Sequence, residues 1–205
     1  RFMMNYILDT IERYPVLEPC KQDIIDAVET IIRMYKNGNK LLLCGNGGSC
    51  SDCEHISGEF LKGFLKKRPY EKGEINLEED VLCKLQKGVP AIPLTSLTAS
   101  LSAFNNDVDP DLSYGQLVNA LGKKGDVLIG ISTSGNAKNV ALAVKCAKAL
   151  NIKTIGLTGA KGGLLRELCD IAIRVPETET FKIQELHLPV YHAICAQVEE
   201  SLFEK

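Results

Sequence analysis

No apolar run in this chain of 205 residues approaches the roughly 18–20 residues a membrane-spanning helix needs, and no signal peptide opens it. Both absences argue against a membrane partner, and the cytoplasm is the expected compartment. A dominant charge is also missing. The chain has 24 Lys and Arg against 26 Asp and Glu, a net charge of −2. So balanced a chain gives no reason to expect nucleic acid or an anionic membrane as the main partner. There are no internal repeats and no low-complexity segments, so a single domain over residues 1–205 is expected. The chain begins with Arg1 rather than Met, and upstream residues are expected.

A disulfide framework is not expected either, although cysteines number eight. Cys44 closes an apolar run, and Cys146 and Cys195 fall in helical patterns, as reduced and mostly buried thiols do. Cys50-x-x-Cys53 can be read as a redox pair or as half a zinc site. No second close pair exists to complete a four-cysteine site, so small helix residues behind a loop are the plainer reading.

What is present is enough apolar residue, 45%, to build a core unaided. The first 37 residues read as helical, interrupted at Pro15, with Ile24, Val28, Ile31 and Ile32 on one face. Five short apolar runs then read as buried parallel strands: 40–45, 91–95, 126–131, 153–158 and 171–175. Pro93 marks the second as an edge strand or a strand end. Helical stretches separate the runs, the best from Asn136 to Leu150 and the last from about Lys182 to Phe203. This alternation predicts an α/β fold, a five-stranded parallel sheet doubly wound with helices in the flavodoxin-like manner. Residues 65–90 are charged and rich in turn formers, and they form an excursion in which 76–82 fits one short helix.

Two loops follow strand ends directly: Gly45-Asn46-Gly47-Gly48-Ser49 and Ser132-Thr133-Ser134-Gly135-Asn136. Ligands of open parallel sheets bind outside the carboxyl ends of the strands. Glycines let backbone N–H groups approach an anion, hydroxyls add neutral donors, and a following helix adds positive potential. One such loop alone is equally well a tight turn with an N-cap. Two at matching strand ends predict a phosphate site. Neither carries the lysine of a P-loop or a full G-x-G-x-x-G, which argues against nucleoside triphosphates and dinucleotides.

His55 and Glu59 share a helix face at i and i+4 beyond the first loop, where they can share a metal or bracket a substrate. On a helix surface such a pair often has no role. The other two histidines, His187 and His192, lie on the last helix with Gln184 and Glu185. A histidine beside a carboxylate suits acid–base work near neutral pH. If neither has a role, His187 is expected to face solvent and His192 the core.

These segments, with Asn106-Asp107, Gly156-Leu157-Thr158-Gly159 and Ile183-Gln184-Glu185-x-His187, resemble the SIS (sugar isomerase) domain. Within it they are most similar to the phosphoheptose isomerases. The resemblance covers nearly the whole chain in order, apart from 65–90. It implies isomerisation of sedoheptulose 7-phosphate to D-glycero-D-manno-heptose 7-phosphate through an enediol, an early step toward ADP-heptose. It also implies a homotetramer with active sites between subunits, and a zinc ion held by His55, Glu59, Gln184 and His192. Glu59 is then the base and His192 its partner acid. Gly47, Gly48, Ser49, Ser132, Thr133 and Ser134 hold phosphate, while Asn46, Asp107 and Gln184 meet the sugar.

One straight helix would put Gln184 and His192 about 12 Å apart along its axis. Pro189 is expected to kink it, and His187 is the alternative ligand. Three positions depart from the family pattern: Ala137 for serine, Gly63 for arginine, and Phe181-Lys182 for Asp-Arg. Lys62, Lys66 and Arg68 lie near the second of these. A non-catalytic sugar-phosphate sensor or scaffold, or an isomerase or lyase for another phosphosugar, is the alternative.

Overall fold

A computed structural model describes residues 4–203. The chain opens with α1 (Asn5–Arg13), a 3-10 turn over Pro15–Cys20 and α2 (Lys21–Lys36). Pro15 begins the turn, where a missing N–H leaves nothing unpaired. β1 (Leu41–Gly45) leads into α3 (Gly48–Leu61). After an excursion holding only the short α4 (Glu79–Leu82) come β2 (Ala91–Pro93), α5 (Thr98–Asp107) and α6 (Ser113–Leu121). β3 (Val127–Ile131), α7 (Lys138–Ala149), β4 (Lys153–Thr158), α8 (Gly163–Leu168), β5 (Ile171–Arg174) and α9 (Thr180–Leu202) complete the fold.

All five expected strands form, and they pair in parallel in the order β2-β1-β3-β4-β5. This is the flavodoxin-like doubly wound order. β2 lies at an edge and stops at Pro93, which has no N–H to extend a ladder. Successive residues of each strand feed opposite cores. Leu41, Leu43, Val127, Ile129 and Ile131 pack with α1, α2, α3 and α9, while Leu42, Cys44 and Leu128 pack with α6, α7 and α8.

Asp126 ties the starts of the two central strands together. It accepts from Lys40 Nζ (2.6 Å), Lys40 N (3.1 Å), Asn39 Nδ2 (3.0 Å) and Lys123 N (2.8 Å). Burial alone would raise its pKa, but these bonds outweigh burial and hold it below the usual carboxylate range. The register that follows runs from Leu41↔Val127 to Gly45↔Ile131, so β1 and β3 end level and their loops start at one height.

Three local expectations are corrected. The fourth long helix starts at Lys138 rather than Asn136, because Asn136 N donates to Ser134 Oγ and its side chain accepts from Leu164 N, keeping it in the loop. Of residues 76–82, only Glu79–Leu82 are helical. α9 runs unbroken through Pro189. Proline removes one i→i−4 bond, but thirteen buried side chains of this 23-residue helix hold it in place.

The excursion leaves and re-enters at adjacent points, through an antiparallel bridge between Pro69 and Gln86 and a bond from Lys87 N to Arg68 O. Between residues 71 and 85 only Leu82 is buried. No helix among the described residues is long and apolar enough to cross a membrane. All eight cysteines are free thiols, and Cys20, Cys44, Cys53 and Cys195 are buried.

Candidate active site

Gly47 adopts φ +58°, a conformation side chains rarely take, and turns the chain from β1 into α3. A Cβ on Gly48 would collide with the Gln184 amide, so this glycine lets α9 lie against the loop. Ser49 and Ser132 are buried at the two strand ends. Ser132 and Ser134 face one another at 3.5 Å and turn back on their own loop, accepting from the N–H groups of Ala137 and Asn136. Asn46 and Asn139 exchange amide hydrogen bonds of 2.8 and 2.9 Å, which lock the first loop to the start of α7. Asn139 was not singled out in the sequence. Its place two residues beyond Ala137 was the available signal. Beside these loops Thr133, Ser134, Asn136, Lys161, Glu177 and Thr180 line a cleft of about 240 Å³.

The second part of the site lies further along α3. His55 and Glu59 meet across one turn, Nε2 to Oε1 at 3.1 Å. His192 approaches from α9, its Nε2 3.4 Å from His55 Nε2. All three donor atoms lie within 4.8 Å of one another. Ligand atoms about 2.0–2.1 Å from a tetrahedral zinc stand about 3.3 Å apart, so the two closest separations fit a metal between them. Two imidazoles and a carboxylate, with a position left open, are a catalytic zinc donor set. Burial first, then the neighbouring His55, hold His192 below the usual imidazole range.

Behind the cluster, Tyr191 Oη lies 2.9 Å from His55 Nδ1 and donates to Asp52 Oδ1 at 3.1 Å. Burial raises the carboxyl pKa of Asp52. Gln184 is near enough to favour its charged form, although no hydrogen bond of ordinary geometry reaches Oδ2, which is buried without a partner. Sequence reasoning missed both Tyr191 and Asp52. Asp52 precedes His55 by three residues on the same helix face, a spacing that could have drawn attention to it.

The remaining expected residues are placed as follows. Gln184 packs on Gly48 at the first turn of α3, on the side of Asp52. Asp107 is exposed and pairs with Asn106, and it lines a separate cleft with Phe104, Val108 and Gln116. His187 is fully buried against Thr158 O at 3.1 Å, and His192 is the half-exposed one, the reverse of the placement expected if neither had a role. Five residues turn a helix by about 140°, so the two histidines face apart. Arg68 is closed off from substrate. It is 3% exposed and ion-paired to Glu199 at 2.6 Å.

Residues 5–159 match the SIS domain family. The phosphoheptose isomerase 2 of Campylobacter jejuni is 47% identical over 175 residues, 85% of this chain and 78% of that protein. The phosphoheptose isomerase of Roseiflexus is 37% identical over 98% of this chain and 95% of that one. The structure of the Neisseria gonorrhoeae phosphoheptose isomerase superposes with a TM-score of 0.77 at 31% identity, covering 94% of each chain. A family match over about three quarters of the chain, with relatives of this identity and coverage, leads to one assignment: the chain belongs to the SIS-domain family and, within it, to the phosphoheptose isomerases.

Proposed function

We propose that this chain interconverts sedoheptulose 7-phosphate and D-glycero-D-manno-heptose 7-phosphate through an enediol, on the way to ADP-heptose. The observation that carries this reading is the His55–Glu59–His192 cluster on the helix that leaves the phosphate loop. His55 stands six residues, about 9 Å, beyond Ser49 along the axis, and helical side chains lean back toward the N-terminus. A phosphosugar held by its phosphate at Gly47, Gly48, Ser49, Ser132, Thr133 and Ser134 extends toward the cluster, with Asn46 and Gln184 beside it. The loop donors are neutral, so the helix N-termini supply the positive potential.

Glu59 takes the proton from C2 of the aldose and returns it to C1. His192, neutral near pH 7, carries the hydroxyl proton from O2 to O1, and the two transfers together complete the exchange. Glu59 would use one carboxylate oxygen for this and the other, with His55 and His192, to hold zinc. When bound, the ion polarises the substrate carbonyl. Gln184 reads the sugar in this account. Asp107, exposed at the end of α5, is assigned to a substrate held by a neighbouring subunit. That arrangement accords with a cytoplasmic homotetramer whose sites lie between subunits. Exposed apolar side chains such as Val108 (66%) and Phe181 (57%) supply candidate contact surface.

The test is NMR of sedoheptulose 7-phosphate incubated with the protein, with and without zinc. The heptose 7-phosphate is the expected product. Turnover of a different phosphosugar alone would replace the substrate in this proposal. Glu59→Gln should keep fold and ligand binding while lowering kcat by about 10²–10⁴-fold. Undiminished activity in that variant would sink the mechanism.

A further inference from the structure

The His55–Glu59–His192 cluster continues inward through two side chains that the reaction does not use. Tyr191 is 2% exposed and Asp52 8%. A phenol has one proton to give. Tyr191 gives it to Asp52 Oδ1 at 3.1 Å, which leaves only oxygen lone pairs facing His55 Nδ1 at 2.9 Å. Nδ1 must then be the donor. A neutral imidazole protonated at Nδ1 carries a bare lone pair at Nε2. That Nε2 is the atom 3.1 Å from Glu59 Oε1 and 3.4 Å from His192 Nε2. The ring is held edge-on to Tyr191 (80°) and to His192 (88°), which fixes its plane as well as its proton.

We propose that Tyr191, oriented by Asp52, is a positioning residue that holds His55 as its Nδ1–H tautomer and aims the Nε2 lone pair into the space shared with Glu59 and His192. The pair thereby readies three acceptors around one point for a divalent cation. The consequence for metal rests on the zinc reading above, whereas the tautomer does not depend on it. Outer partners of this kind are worth about 10–100-fold in metal affinity.

Two measurements separate the parts. The first is 15N NMR of the histidine rings in metal-free protein, with buried His187 as an internal reference. The second is zinc affinity by chelator competition. The wild type should show His55 protonated at Nδ1. Tyr191→Phe should shift it toward Nε2–H, where Glu59 can accept, and weaken zinc binding about 10–100-fold without moving the His187 signals. Asp52→Asn, whose carbonyl still accepts the phenol proton, should preserve the wild-type tautomer, and Asp52→Ala should not. A wild-type His55 protonated at Nε2 overturns the proposal, as does a Tyr191→Phe protein with unchanged tautomer and unchanged zinc affinity. A wild type that holds the Nδ1–H form but binds no zinc overturns the metal reading instead.

Discussion

His187 and His192 lie on one helix, yet one is sealed and the other half-exposed. His187 gives its Nε2 proton to Thr158 O, and its Nδ1 is buried without a partner. Burial drives its pKa down to about 4, against 6.5 in an open chain, and the bond to Thr158 offsets this only in part. Folding therefore favours the neutral ring. Its contribution is complete above pH 6.5 and is lost as the unfolded chain takes up a proton between pH 6.5 and 4, roughly 3 kcal/mol in all. Urea unfolding at pH 7 and pH 4.5 should show His187→Gln losing less stability over that interval than the wild type. An identical loss in both would mean that the buried ring is not responsible. Apolar spacing could not tell the sealed ring from the accessible one, because α9 is buried on most of its circumference and Val190, Ile194 and Val198 mark no single inner face. Glu59 and His55 were legible, since four residues on one helix suffice to join them. Tyr191 and Asp52 were not, because they meet across 139 residues of chain.

At the scale of elements, α3 is held at both ends. Its first turn rests on the glycine loop. Its last turn is closed by Arg68, which donates to the carbonyls of Glu59 (2.9 Å) and Phe60 (2.8 Å). The same guanidinium pairs with Glu199, whose carboxylate also accepts from the N–H groups of Phe64, Leu65 and Lys66. Phe64, in this tethered strip, lies against His192 with ring centroids 5.6 Å apart. The base of the excursion thus sets where the His55–Glu59 end of α3 sits against α9. Removing one partner of a buried pair leaves an uncompensated charge, so Arg68→Met should cost about 3–5 kcal/mol in urea unfolding. A loss under 1 kcal/mol would show that water reaches the site and screens Glu199. Strands and the loops that follow them were readable because each apolar run stops at a glycine, a hydroxyl residue or a proline. A structural cation inside a stretch of lysines was not, since its partner is 131 residues away.

For the molecule as a whole, one chain assembles the two strand-end loops and the His-Glu-His cluster but leaves α5 with no buried residue and Leu8, Val16, Val108 and Phe181 in water. Light scattering on the purified protein should give four times the 22.4 kDa of one chain. A monomeric mass would require a complete site within a single subunit and would remove Asp107 from it. The architecture was legible because alternating strand and helix signals admit few right-handed arrangements. The proposed tetramer leaves no periodic signal, since exposed apolar residues such as Val108 and Phe181 read as ordinary surface. The Pro69–Gln86 bridge has a further consequence. Since the chain departs and returns side by side, the stretch between can lengthen or shorten without shifting any strand. That makes 71–78 the natural place to splice in an affinity tag or a fluorescent reporter, and a segment whose size can drift over evolution while the sheet beneath stays fixed.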